Sequence, residues 1–322
     1  MIRLRHSMGV LLAALLVQTP AWSEEFPKRP VTFLVPFPAG TATDVIARIV
    51  GNELGNKWGQ SVVVDNRPGA GGNIGSESAA KAKADGYTVL WATVANSIST
   101  TLYKNLQYNF RDDFDTVTLV TKLPLVLVTN QSRNYGTVPD MVEFSKGHKE
   151  ALTFGSGGVG TSNHLAGEML NVLSGTEMVH VPYKGTPNAY SDLIADRISV
   201  MFDNIVPAMV QIKTGKLKPL AVASLDRSPQ LPNVPTMNES GYPGFEAVSW
   251  LAMVVPHGTP VDIVEKINRD AVAVLSDPKV QEKMTTFGAQ AEPGTPAELD
   301  AFIDNEITKW AKVIKQANVT VQ

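Results

Sequence analysis

Residues 28–54 read KRPVTFLVPFPAGTATDVIARIVGNEL, and the pattern changes character once, at Pro38–Thr43. Before that point, Val31–Phe37 is a short apolar, β-branched run, the signature of a strand. After it, Asp44–Leu54 places Val45, Ile46, Ile49, Val50 and Leu54 on one face of a helix. A strand, a Gly/Pro/Thr loop and a helix in that order open a βαβ unit. Moving outward, Ser61–Asn66 reads as a second strand, ended by Arg67-Pro68 and the glycines 69, 71 and 72. A helix follows over about residues 74–84, then an Asp85-Gly86 turn and a third strand, Tyr87–Thr93. Together these make one doubly wound half with a parallel sheet.

The same alternation resumes at the apolar strand Leu123–Thr129. Strands are expected at Leu152–Gly155, Val179–Tyr183, Val200–Asp203, Leu217–Ser224 and Ser249–Val255, and helices at Asn163–Leu173 and Asn188–Ala195. Pro229–Pro243 holds four prolines and reads as a loop, and helices at 260–275, 278–286 and 297–316 close the chain. A length of 322 residues suits two domains. If the strands at 123–129 and 217–224 both cross between lobes, residues 125–221 form an inserted lobe 2. Lobe 1 is then 24–124 with 222–322. The expected fold class is α/β, with two lobes, each a doubly wound, mostly parallel sheet, and a ligand cleft between them.

Composition narrows the function. Net charge is −3 with no run of like charges, which excludes a broad nucleic-acid footprint. The chain has no cysteine, so disulfides, thiolate metal sites and a cysteine nucleophile are excluded. The five histidines, His6, His148, His164, His180 and His257, never fall at zinc-ligand spacing, so no metal and no cofactor is expected. Residues 1–23 carry Arg3 and Arg5, an apolar core Gly9–Val17 too short to span a bilayer, and Ala21-Trp22-Ser23 at the exit. That is the layout of a secretory signal peptide. Its removal takes the charge from −3 to −5 by loss of the two arginines. A soluble, exported, periplasmic chain is expected.

Ligands of open α/β sheets bind beyond the carboxyl ends of strands. Two loops lie there. One is Pro36–Asp44 (PFPAGTATD) and the other Gly155–His164 (GSGGVGTSNH). Their glycines admit close backbone approach, and the helix starts behind them offer unpaired N–H groups suited to an anion. Neither loop contains lysine or arginine. Helix capping competes for Thr41, Asp44, Thr161 and Ser162, though a capped terminus still offers other N–H groups. Asp203 ends a strand and points toward the cleft, or holds a turn. Tyr183 and Trp250 stand near strand ends, as ligand contacts or as core.

Two sharper readings are weaker. Gly155-x-Gly157-x-x-Gly160 matches a dinucleotide fingerprint, but the next strand ends in Tyr183-Lys184 without the expected acid. Ser156, His164 and Asp203 would compose an exported hydrolase, but Phe154 stands where a G-x-S-x-G elbow needs glycine.

In these loops the chain resembles the Bug family of periplasmic solute receptors, the substrate-binding component of tripartite tricarboxylate transporters. The resemblance is carried by KRPVTFLVPFPAG (28–40) with Asp44 and Arg48, VVVDNRPGAGGNIG (62–75), DGYT (85–88), GSGGVGTSNHLAGE (155–168), HVPYKGT (180–186), GKLKPLAVAS (215–224), VPT (234–236) and PHGTP (256–260). It covers essentially the whole chain beyond the signal segment. It implies a Venus-flytrap fold, no enzymatic activity, and a bound carboxylate held by backbone groups and bridging waters. It also implies delivery to a membrane permease with a large and a small subunit.

Carried over by position, the ligand-binding residues are Phe37, Pro38, Ala39, Gly40, Thr41, Ala42 and Asp44 from loop 1, with Thr93 and Asn96 after the third strand. Ser156, Gly157, Gly160, Thr161, Ser162 and His164 come from loop 2, with Asp203; Tyr183 joins the ligand-binding set from its place at a strand end. Gly40-Thr41-Ala42, Val159 and Ser97–Thr100 depart from the family's usual residues, which suits a partly apolar carboxylate. A dicarboxylate, an aromatic acid, citrate or an amino acid all fit. A signalling partner in place of the permease is the alternative, and the receptor is expected to be a monomer.

Overall fold

The computed structural model describes residues 26–147 and 152–321. The expected signal segment, and His148, lie outside the described residues. In chain order the elements are β1 (Val31–Val35), α1 (Ala42–Trp58), β2 (Val62–Asn66), α2 (Asn73–Ala80), β3 (Thr88–Thr93), α3 (Val94–Leu102) and β4 (Phe114–Asn130). There follow α4 (Val138–Gly147), β5 (Thr153–Ser156), α5 (Ser162–Ser174), β6 (Val179–Pro182), α6 (Thr186–Ile194), β7 (Val200–Asn204), α7 (Ile205–Lys213) and β8 (Leu217–Val222). The chain closes with β9 (Val248–Pro256), α8 (Val261–Leu275), α9 (Pro278–Thr285), β10 (Gln290–Ala291) and α10 (Pro296–Gln316).

The strands run in the order β2-β1-β3-β9-β4-β7-β5-β6, with β8 and β10 added to β4. Two parallel triplets, β2-β1-β3 and β7-β5-β6, flank an antiparallel centre. The centre is β4. Its first part, Phe114–Pro124, pairs with β9, and its second, Leu125–Asn130, pairs with β7 and β8. The exchange of partners falls at Pro124, which has no N–H to give to a ladder. The chain returns through 223–247, where Ala223 N–H donates to Leu125 O at 2.7 Å and Ala247 N–H to Ala223 O at 2.9 Å.

Register positions the site. Thr93, the last residue of β3, lies opposite Leu251, which lies opposite Thr121. Asn204, the last residue of β7, lies opposite Leu125. The carboxyl ends of both triplets therefore point at the seam where β4 changes partners.

Side chains of β4 alternate between faces. Leu125 and Leu127 join an apolar cluster with Leu90, Ile98, Leu165, Phe202 and Trp310, continuous across both halves of the sheet. Val126 and Val128 point the other way, to Leu193, Met201 and Ile205. A third cluster packs Phe33, Trp91, Leu251 and Ile267 around Ile46 and Val50 of α1.

Three differences from the expected elements have local causes. β4 starts at Phe114 rather than Leu123, because the hydroxyls of Thr116, Thr118 and Thr121 donate to Pro296 O, Gly294 O and Gln290 O. A polar-looking stretch is thus satisfied within the sheet. Helix α3 is rich in Ser and Thr, poor helix formers, but Thr93 and Asn96 form a capping box and Ile98 and Leu102 are buried. Helix α7 carries Pro207 in its first turn, where the missing N–H costs nothing.

Candidate functional site

Loop 1 is braced from within. Asp44 is buried, and its Oδ2 accepts from Gly40 N–H at 2.9 Å and Arg48 Nε at 3.1 Å. Its Oδ1 takes Asn66 Nδ2 at 2.9 Å and an Arg48 ion pair at 2.8 Å. Burial raises the carboxyl, but Arg48, the Gly40 N–H and the Asn66 amide outweigh it and hold it below the usual carboxylate range. Both oxygens are spent, so Asp44 shapes the loop. Asn66 also donates to Phe37 O at 3.0 Å. Thr41 caps α1, accepting from Asp44 N–H, and donates to Pro38 O at 2.8 Å. Pro38, Ala39, Gly40 and Ala42 are exposed. The N–H groups of Ala39, Ala42 and Thr43 have no partner among the described residues.

After β3, Thr93 Oγ1 accepts from Ala95 N–H, and Asn96 Oδ1 accepts from Thr93 N–H at 2.9 Å. Asn96 Nδ2 donates to Ser76 Oγ at 2.7 Å and Tyr108 OH at 3.3 Å. Asn96 is thus a buried clamp between α2 and α3. Ser97 beside it is fully buried, and its Oγ has no partner among the described residues.

Loop 2 is braced in the same manner, with different parts. Thr161 caps α5, accepting from His164 N–H and donating to Gly158 O at 2.7 Å. Ser156 is fully buried, and its Oγ accepts the Gly158 N–H at 3.0 Å and lies 2.6 Å from His180 Nε2. Gly160 N–H donates to His164 Nδ1 at 3.1 Å, and His164 Nε2 faces Glu168 Oε1 at 3.5 Å. The His164 and His180 rings stack with centroids 3.8 Å apart. Burial, then the neighbouring His164, pushes the His180 imidazole down to about 3. The N–H groups of Gly157, Val159, Ser162 and Asn163 have no partner among the described residues. Loop 2 also reaches the other half of the sheet. Ser162 Oγ is 3.2 Å from Ser249 Oγ, and a Cβ at Gly160 would stand 2.6 Å from Leu102 Cδ2.

Asp203 is buried at the end of β7. Its Oδ1 accepts from Asn163 Nδ2 at 2.9 Å, while Oδ2 has no hydrogen-bond partner among the described residues. Burial pushes the carboxyl up to about 6, against the opposing pull of Asn204 N–H, Tyr190, Asn163 and Thr186. Tyr190 stands close enough to interact electrostatically, yet its hydroxyl has no hydrogen-bond partner among the described residues. The Tyr183 hydroxyl donates to Asp192 Oδ2 at 2.8 Å.

The arrangement assembles no triad. Ser156 meets His180 rather than His164, and Asp203 meets Asn163. Asn66 and His180, which help to fix the two loops, lie outside both loop motifs, whereas Asn163 lies within loop 2 without being singled out by its motif. Asn66 and His180 sit on strands, and only Asn66, ending its strand before Arg67-Pro68, carries a local signal. Chemically, the two helix starts offer seven unpaired N–H donors, and an anion is the partner such donors take.

The pattern of the sequence points the same way. A family model described as the tripartite tricarboxylate transporter family receptor matches residues 46–319. The chain belongs to that family. Three solved structures resemble it closely. The periplasmic binding protein BugD is 37% identical, with a TM-score of 0.79 over 92% of this chain and 100% of that one. Rpa4515 of R. palustris, solved with adipate, is 33% identical, with a TM-score of 0.83 over 92% and 99%. MatC of Rhodopseudomonas palustris, solved with bound malate, is 30% identical, with a TM-score of 0.78 over 90% and 100%. This receptor thus shares its mixed α/β, periplasmic-binding-protein fold with solute receptors, and it is not an enzyme. Among the described residues no helix is long and apolar enough to cross a membrane.

Proposed function

We propose that this receptor binds a small carboxylate between loop 1 and loop 2 and delivers it to a membrane permease with a large and a small subunit. The observation that carries the reading is the set of seven unpaired main-chain N–H groups: Ala39, Ala42 and Thr43 in one half, and Gly157, Val159, Ser162 and Asn163 in the other. No lysine or arginine lies in either loop, so main-chain donors and helix dipoles supply the attraction. Hydrogen bonds to a charged group contribute about 1.5–3 kcal/mol each, and a partly buried helix start up to about 2 kcal/mol. A few such bonds reach the roughly micromolar affinity that still permits release.

The likeness to Rpa4515 with adipate and MatC with malate supports a dicarboxylate. The lobes divide at Pro124/Leu125 and again after Ala221, so that 24–124 with 222–322 closes on 125–221. Contacts from both lobes exist only in the closed state, and the ligand stabilises that state by its differential affinity. The receptor acts as a periplasmic monomer after removal of residues 1–23.

The test is a thermal melt of the purified, refolded chain against adipate, malate, citrate, benzoate and glutamate, each beside its methyl ester. A ligand at a hundred times its Kd adds about 2.7 kcal/mol, a rise of roughly 5 °C in a chain of this size. A rise with one acid and none with its ester is expected. Equal rises with acid and ester would remove carboxylate recognition.

A further inference from the structure

His180 lies on β6, the edge strand of the sheet, and belongs to neither loop. Its ring nevertheless stacks on that of His164 at 3.8 Å between centroids, and Phe154 lies beside the pair, 4.9 Å from His180 and 6.2 Å from His164. Two imidazoles 3.8 Å apart, His164 buried and His180 half-buried, repel when both are charged. Each ring also commits a nitrogen to loop 2. His164 Nδ1 accepts the Gly160 N–H, which a protonated Nδ1 cannot do. His164 therefore carries its proton on Nε2, toward Glu168. His180 Nε2 is bonded to Ser156 Oγ, the atom that fixes the Gly158 N–H. With the Gly158 and Gly160 N–H groups tied back, those of Gly157, Val159, Ser162 and Asn163 remain free.

We propose that His164 and His180 are positioning residues that hold loop 2 in its anion-receiving shape only while both rings are neutral, so that acid loosens the loop and releases the bound carboxylate. The release step rests on the carboxylate-receptor reading above. The positioning step does not. Besides the two rings, Glu168 on α5 is the titratable group that reaches the pair. Strand β5 contributes only Phe154 and Ser156, and α10, which packs on α5, places no charged side chain in a polar contact with either ring among the described residues. The low value of His180, near 3, fits a ring that stays neutral in the intact stack.

The experiment uses the purified chain, labelled with nitrogen-15, and begins without ligand. Imidazole nitrogen signals report tautomer and charge, and amide exchange reports the Gly160 hydrogen bond. The expected result is a neutral His164 protonated at Nε2 at pH 7.5, and a His180 that does not titrate between pH 8 and 5. A histidine freed from the stack, with an ordinary value near 6.5, gains protonation about tenfold between pH 7.5 and 5.5. Gly160 protection, corrected for intrinsic exchange, therefore falls about tenfold or more over that interval.

In His164→Asn/His180→Gln, the Asn oxygen keeps the acceptor for the Gly160 N–H, the Gln amide can donate to or accept from Ser156 Oγ, and neither group titrates, so protection stays level within about threefold. Adipate titrated calorimetrically at both pH values should lose affinity in the wild type and lose far less in the double variant. An ordinary His180 titration with Gly160 protection unchanged would overturn the proposal. So would equal acid losses in the wild type and the double variant. Failure of adipate to bind at any pH would count against the carboxylate reading alone, since the ligand-free signals still decide the histidine pair.

Discussion

Gly160→Ala separates two costs that meet at one position. The backbone there has φ +79°, a left-handed conformation that costs an L-residue about 1–2 kcal/mol. The added methyl would also stand 2.6 Å from Leu102 Cδ2, and such overpacking costs about 1–3 kcal/mol. Leu102 ends α3 in one half of the sheet, and Gly160 lies in loop 2 of the other. The steric share is therefore felt only where the halves meet, while the backbone share is felt wherever loop 2 is folded. Gly160→Ala should cost about 2–5 kcal/mol in urea unfolding. Leu102→Ala alone, from a buried site, should cost about 2–4 kcal/mol by cavity formation. The double variant relieves the overlap and should fall short of the sum by about 1 kcal/mol or more. Strict additivity, or a Gly160→Ala cost under about 0.5 kcal/mol, would refute the contact between loop 2 and α3.

Other outcomes follow from single groups. Glu306 is buried and accepts from Trp250 Nε1 at 2.9 Å and Trp310 Nε1 at 3.0 Å, tying α10 to β9. Glu306→Ala leaves both indole N–H groups unpaired and should cost about 3–5 kcal/mol, read as a fall in Tm of roughly 6–10 °C. Asp203 is raised from 3.8 to about 6 by burial, so the folded state holds its proton longer than the unfolded one. Its contribution is fully present below pH 3.8 and is lost as pH rises through 6. Asp203→Asn should remove that loss, gaining about 3 kcal/mol on the wild type between pH 4 and 7. An identical pH dependence of urea unfolding in the two proteins would count against a buried acid. Thr161→Ala removes the cap of α5 and the bond to Gly158 O. It should cost about 1 kcal/mol of stability and weaken binding of any ligand the thermal panel identifies, as measured by calorimetry.

Much of this receptor is decided by local chemistry that a single sequence displays. Val31–Phe37 is β-branched and apolar, Gly40 sits where the chain turns with φ +83°, and Thr41 caps the helix that follows. The same combination recurs at Phe154, Gly160 and Thr161. Each depends on neighbours within a few residues, so strand, loop and helix were all legible, as was the alternation that makes an α/β fold. Where polar residues were satisfied by distant chain, legibility failed. Thr116, Thr118 and Thr121 look unlike a strand until residues 290–296 supply their acceptors.

The site divides along the same line. The sequence determined which loops carry free N–H groups, because helix starts leave donors unpaired wherever they occur. Tertiary structure decided which side chains face a ligand and which hold the loops. Asp44, Asn96, His164 and Tyr183 spend their polar atoms on protein partners. Asp203 takes its raised value from burial at the seam. His180 joins Ser156 across 24 positions of chain, a distance that no local pattern spans. Hydrogen bonds and desolvation act through space, so their partners are set only when each half of the sheet folds.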